Sequence, residues 1–303
     1  MAADIKLAHS VFALPFAVFA AFLAGPSVTA DPAPGVKEWT RFCFKLVLVV
    51  VCMVLARTWA MLVNRLADRK IDATNARTNR RVFASGALSP LVGWAAALVC
   101  AGLVVGVAWV FDWQFKNPWP LRLSVPVLAW LGLYSLTKRF TAWCHLWLGA
   151  SLAASPVAAA IAVRPSAVFG PGPTAAIWWL AGFVLLWVAG FDVIYALQDE
   201  AFDKSKGLKS IPASLGSKGA RFVSMALHAG AAFMLLSAWT SSHRLGPIFA
   251  AGIGAVIVLL ITEHIVVSIS ARRGLAGLNM AFFTLNGVVS CVLGVLGVVD
   301  LFF

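Results

Sequence analysis

The chain has 303 residues, 61% of them hydrophobic and only 12% charged, with a formal net charge of +12. An ordinary soluble domain is about half apolar and about a quarter charged, so this composition excludes that class and points to a polytopic membrane protein. The positive charge does not imply nucleic acid as a partner, because the Lys and Arg residues sit in short loops between apolar runs, as membrane topology requires.

Runs of roughly 18 to 25 apolar residues predict nine membrane helices. The first, 8–25, follows Lys6 and precedes "VTA" (28–30), which also resembles a secretory cleavage site. A Pro/Gly-rich loop, "DPAPGVKEWT" (31–40), leads to the second run, 42–63. It ends in "NRLADRKIDATNARTNRR" (64–81), where Asp68 and Asp72 lie four apart, Asn64 lies four earlier, and six Lys/Arg crowd around them. Four-residue spacing on a helix puts Asn64, Asp68 and Asp72 on one face, and like charges so placed repel unless something positive offsets them.

The third and fourth runs are 87–111 and 121–137, and only "KRF" separates the latter from the fifth, 141–163, which predicts a tight helical hairpin. After the loop "RPSAVFGPGPT" (164–174), the sixth run, 174–196, leads into "DVIYALQDEAFDKSKGLKS" (192–210). Here Asp199 and Asp203 repeat the four-residue spacing, and Tyr195 and Asp192 continue the same face into the run. The last runs are 219–240, 246–269 and 276–302. The two acidic stretches follow runs four apart, which suggests two related halves, near 1–137 and 138–303, within a single domain. With the N-terminus inside, sixteen of the 24 Lys/Arg fall on the inner side and seven on the outer. That excess predicts a cytoplasmic N-terminus, an outer C-terminus and both acidic stretches on the cytoplasmic face.

Clustered carboxylates without His or Cys suit a hard cation, and Mg²⁺ completes its shell with substrate phosphate oxygens. Asn64, Asp68, Asp72, Asp199 and Asp203 are therefore candidate Mg²⁺ ligands. Arg77, Arg81, Lys138, Arg139 and Lys209 are candidates to grip the same diphosphate, with topogenic charge as the competing explanation for Lys138 and Arg139. Asp192 lies near the end of its run, where a carboxylate is costly and usually functional. Tyr134 and Tyr195 are the only tyrosines in the chain. They sit one turn inside the charged ends, where either ring could face a cation or make a structural hydrogen bond. Arg57, within the second run and seven residues before Asn64, suits the carboxylate of an aromatic acid or snorkels to the surface.

The five cysteines form no CxxC or Cys/His cluster and read as small buried hydrophobes. His9, His145, His228 and His264 are isolated in apolar runs and His243 lies in a loop. None has metal-ligand spacing, and all five read as packing residues. Glu263 needs a partner, expected to be His264 or a backbone group. A cation-coupled transporter would also carry intramembrane acids, but nearer mid-bilayer and without bases that suit phosphate.

The two acidic stretches, together with "KLAHSVFALPFA" (6–17), "YSLTKRFTAWCHLWLG" (134–149), "TEHIVVS" (262–268) and "LNMAFFTLNGVVS" (278–290), resemble the UbiA superfamily of intramembrane prenyltransferases over nearly the whole chain. Its 4-hydroxybenzoate polyprenyltransferase branch is the nearest likeness. Members often carry Asp after the first motif's Asn, where this chain has Arg65. The resemblance implies an all-α fold of nine transmembrane helices around a central cavity, capped by the two motif loops, and a retained first helix. It also implies Mg²⁺-dependent transfer of a polyprenyl group from its diphosphate to an aromatic acid. 4-Hydroxybenzoate is the expected acceptor, with dihydroxynaphthoate or homogentisate as alternatives.

Overall fold

A computed structural model describes residues 12–28, 30, 32–170, 174–273 and 281–303. Lys6, His9, the start of the first run and the start of the last one lie outside the described residues. Among the described residues every regular element is helical. The α-helices are α1 (Leu14–Ala24), α2 (Val36–Ala67), α3 (Arg69–Ala73), α4 (Pro90–Phe115), α5 (Trp119–Leu133), α6 (Cys144–Val163), α7 (Ser166–Phe169), α8 (Thr174–Ala196), α9 (Glu200–Ser205), α10 (Ile211–Thr240), α11 (Pro247–Arg273) and α12 (Asn286–Asp300). Short 3₁₀ turns follow α5 (Tyr134–Arg139) and α8 (Leu197–Asp199), and a π turn, Ala281–Leu285, precedes α12.

Seven segments among the described residues are long and apolar enough to cross a membrane: Val36–Ala67, Pro90–Phe115, Cys144–Val163, Ala175–Ser205, Ile211–Thr240, Pro247–Ile269 and Phe283–Asp300. The runs 8–25 and 121–137 form the shorter α1, of 11 residues, and α5, of 15. Leu91, Leu98, Phe222, Phe233 and Val258 point outward and exposed. A helix with apolar residues on its outer surface is stable only in an apolar solvent.

The core is built on α8. Ile177, Leu180, Phe183, Val184, Trp187, Val188 and Phe191 are all at most 2% exposed. Close approach is set by glycine. A Cβ on Gly149 of α6 would overlap the Leu185 carbonyl of α8, and one on Gly190 of α8 would overlap the His228 ring of α10. Phe16 of α1 lies edge-on to Trp187 at 5.4 Å between centroids, and Phe183 stacks on Trp187 at 5.7 Å.

Buried polar groups in this core are mostly paired. Trp187 Nε1 donates to Asn286 Oδ1 at 2.7 Å, and Asn286 Nδ2 donates to Glu263 Oε1 at 3.0 Å. The partner of Glu263 is thus Asn286 and not His264, whose Nε2 faces His228 Nδ1 at 3.0 Å. The reason is geometric, since consecutive residues of one helix point about 100° apart.

At the end of the bundle remote from the acidic stretches, helix carbonyls without partners of their own are met by side chains from elsewhere. Lys45 Nζ donates to Val163 O at 2.6 Å, and Asn117 Nδ2 donates to Ile161 O and Ala162 O at 2.9 and 3.1 Å. Arg244 Nη1 donates to Leu23 O. Two of these donors are cations at helix C-termini, where the helix dipole favours them.

Candidate active site

The end of α2 leads into the site without a break in its hydrogen bonding. Asp68 N donates to Asn64 O at 3.0 Å and Asp72 N to Asp68 O at 2.8 Å, so the acids are carried one helical turn apart. Lys209 N donates to Lys138 O at 2.7 Å, which ties the turn after α5 to the end of the second acidic stretch. Asn75 and Arg77 of the first stretch bond to Asp199 of the second, so both stretches meet at one end of the bundle.

There three of the acids, Asp68, Asp72 and Asp199, each face a guanidinium. Arg77 Nε and Nη2 donate to Asp199 Oδ1 and Oδ2 at 3.1 and 2.5 Å, and Arg77 Nη1 donates to Tyr195 OH at 3.1 Å. Arg81 Nη1 lies 2.8 Å from both oxygens of Asp72. Arg139 Nη2 donates to Asp68 Oδ1 at 3.0 Å and to Ala67 O at 2.8 Å. Burial pushes the Asp68 carboxyl above its ordinary range, and neither the Arg139 bond nor the nearby charge of Lys138 brings it back. Burial works against the charged form of Arg77, but its contacts with Asp199 more than offset this and hold its pKa above the ordinary value. Asp203 is 2% exposed and its Oδ1 has no hydrogen-bond partner.

This arrangement differs from acids and bases acting separately. Partly buried carboxylates need compensation, and the nearest opposite charges supply it. Among the described residues, no group of three or more His, Cys, Asp or Glu is gathered as it would be around a bound metal. The acids are instead distributed among the arginines.

A cavity of about 1190 Å³ opens at this charged end. Asn64, Arg77, Arg81, Tyr134, Asp192 and Tyr195 line its mouth, and Arg57 lies further in along α2. Asp68, Asp72, Asp199, Asp203, Lys138, Arg139 and Lys209 do not line it. The cavity is thus fronted by arginines, with their acids behind. Its interior is apolar, walled by α2, α4, α5, α6 and α8, with Phe12 and Phe191 among its lining. The space arises because α6 reads "GASLAASPVAAAIAV" (149–163): Ala, Ser and Gly leave open what Leu or Phe would fill. Lining residues on α6 run from Leu148 to Ala162, about 21 Å of helix at about 1.5 Å per residue.

Three further residues matter. Arg80 and Gln198 also line the mouth, and Gln198 Nε2 and Arg57 Nε are buried donors without an acceptor. His145 is not a mere packing residue, since its Nδ1 lies 2.7 Å from Asp192 Oδ2. These atoms belong to residues 47 apart on different helices, a separation that no periodicity in the sequence encodes. The one hint was the place of His145 beside the charged "KRF" turn.

The model of the UbiA prenyltransferase family matches residues 13–296. A 4-hydroxybenzoate octaprenyltransferase from Azotobacter vinelandii is 30% identical over 227 residues, covering 75% of this chain and 70% of that protein. One from Pseudomonas aeruginosa is 28% identical over 236 residues, covering 78% and 73%. Among solved structures, the apo structure of a UbiA homolog from Aeropyrum pernix K1 is similar with a TM-score of 0.79 and 30% identity, covering 97% of this chain and 98% of that one. A UbiA homolog from Archaeoglobus fulgidus bound to GPP and Mg²⁺ shares the fold at a TM-score of 0.67 and 17% identity, covering 99% and 98%.

Proposed function

This chain belongs to the UbiA prenyltransferase family and is a membrane prenyltransferase of the 4-hydroxybenzoate polyprenyltransferase type, and on that premise we propose that it transfers a polyprenyl group from polyprenyl diphosphate to 4-hydroxybenzoate in quinone biosynthesis. The observation that carries this reading is the cavity itself, whose arginine-lined mouth opens onto an apolar interior about as long as a membrane leaflet is thick. A diphosphate and its isoprenoid tail have that same division of polarity. Family membership leaves the transporter alternative without support.

In this reading α1 and α5 complete nine spans of a bacterial inner-membrane bundle, with the charged end cytoplasmic and the C-terminus outside. Asn64, Asp68, Asp72, Asp199 and Asp203 would hold Mg²⁺. The fit is supported by a donor set of carboxylates and one amide, and by the buried, unpartnered Asp203 Oδ1. Mg²⁺, when bound, supplies positive charge to offset the charge that builds on the departing diphosphate.

The chain's own residues do the rest. Arg77 and Arg81 face the cavity and grip the diphosphate, with Lys138, Arg139 and Lys209 around them. Apolar walls keep water from the allylic cation. Tyr134 and Tyr195 present their rings at the mouth, where a cation is favoured by a π face. As the C–O bond to the diphosphate breaks, the acceptor ring forms the new C–C bond. The ring then loses a proton to Asp192 and recovers its aromaticity.

Membranes containing the protein, incubated with radiolabelled polyprenyl diphosphate and a panel of aromatic acids, should yield a prenylated acid. EDTA should abolish it and Mg²⁺ restore it. Dihydroxynaphthoate or homogentisate as the preferred acceptor would replace 4-hydroxybenzoate, and no product with any acceptor would overturn the reading. In the same assay Arg57→Ala should raise the acceptor's KM by about 10-fold or more, the worth of a charge-assisted hydrogen bond. The donor's KM should stay within about 2-fold, and an equal effect on both would remove Arg57 from the acceptor site.

A further inference from the structure

We infer that His145 is a positioning residue that holds Asp192 as the base for the acceptor's ring proton, an inference that rests on the prenyl-transfer reading above. Four acids at the site can be compared by their partners. Asp68, Asp72 and Asp199 each face a guanidinium. Asp192 lines the cavity, and its partner is an imidazole, His145 Nδ1, at 2.7 Å from Oδ2. His145 is 3% exposed and does not line the cavity, so it can act on substrate only through Asp192.

The other ring nitrogen fixes the protonation state. His145 Nε2 accepts the backbone N–H of Ile211 at 3.3 Å. Ile211 is the first residue of α10, and its N–H has no partner within that helix. An amide N–H can only donate, so Nε2 carries its lone pair and the single ring proton sits on Nδ1, directed at Asp192. With that assignment the imidazole is neutral.

Two consequences follow for the chemistry. Asp192 is oriented by a hydrogen bond from a single N–H donor and is not engaged by a guanidinium, as Asp68, Asp72 and Asp199 are. The other is that His145 does not itself take part in proton transfer. When the ring C–H bond breaks, the electron pair returns to the ring and the proton passes to the Asp192 carboxylate, while the His145 proton stays on Nδ1. The Ile211 contact also anchors this pair to the segment that closes the second acidic stretch.

Two variants and one spectrum test this. His145→Gln keeps both contacts, since its amide N–H can donate to Asp192 and its oxygen accept from Ile211. His145→Leu keeps neither. With whichever aromatic acid the wild type prenylates, His145→Leu should lower kcat on the order of 10–100-fold, the scale of lost positioning. Both KM values should stay within about 3-fold. A primary isotope effect should emerge with acceptor deuterated at the reacting ring carbon, because proton removal becomes rate-limiting. His145→Gln should return kcat to within about 3-fold of wild type. An unchanged kcat in His145→Leu, or a loss that shows no isotope effect and is not rescued by Gln, would overturn the inference. Independently of turnover, ¹⁵N NMR of the histidine-labelled protein in nanodiscs should give one imidazole, absent from His145→Gln, that is neutral and protonated on Nδ1. An imidazolium or an Nε2–H ring would also overturn it. A wild type that prenylates no aromatic acid fails the transfer reading instead, and the spectrum still decides the tautomer.

Discussion

Asp199→Asn should reduce kcat by ~10³-fold, the upper range for losing one preorganised electrostatic group. Asn is nearly isosteric and keeps an oxygen that can accept one Arg77 hydrogen bond, so shape and part of the network survive. What goes is the charge, which in the proposed site both binds Mg²⁺ and holds Arg77. The fold should survive too. The Arg77 and Asp199 side chains are 34% and 16% exposed, and ion pairs at such surfaces contribute about 1 kcal/mol or less. The thermal unfolding midpoint of the purified variant should therefore stay close to that of the wild type. Full activity in Asp199→Asn would remove it from the metal site, and loss of folded protein would make its role structural.

Asp192→Asn should lower kcat by about 10²–10⁴-fold, the usual worth of a general base. The donor's KM should hardly move, because Asp192 faces the cavity while Asp68, Asp72 and Asp199 meet the arginines. Asn can still accept the His145 Nδ1 proton through its amide oxygen, so this change removes basicity more than position. Asp192→Ala opens space at the same point, and added formate should restore part of the rate by supplying a carboxylate there. A donor KM that rises in step with the fall in kcat would instead place Asp192 among the groups that hold the diphosphate.

Much of this architecture was legible in the chain. Most apolar runs placed the described helices within a few residues, because membrane helices must satisfy their backbone internally and so declare their length, although α10 begins at Ile211, eight residues before its run at 219. The alternation of the runs and the Lys/Arg count put both acidic stretches on one side, and the Arg77–Asp199 pair joins them at one end. Other features were hidden. Arg77 meets Asp199 across 122 residues and Arg139 meets Asp68 across 71, contacts that depend on helix packing alone. Assigning acids to metal and bases to phosphate does not show which arginine meets which acid, a pairing that only the packing of the helices reveals. His145 read as a packing residue because its significance lies in two partners, Asp192 and the Ile211 amide, that belong to other helices. The shorter α5 also shows why a count from hydropathy is soft: of the apolar run 121–137, the α-helix reaches only Leu133 and the rest lies in a 3₁₀ turn.

The two guanidinium–carboxylate pairs whose arginines line the mouth, Arg77–Asp199 and Arg81–Asp72, set up a thermodynamic linkage. A cation that engages Asp72 and Asp199 releases Arg81 and Arg77, and an anion that engages those arginines releases the acids. Either ligand alone leaves charges at the mouth uncompensated, and both together leave none. For the proposed pair, Mg²⁺ and a diphosphate, each should therefore raise the other's affinity by the same factor, typically about 5–150-fold for such coupling.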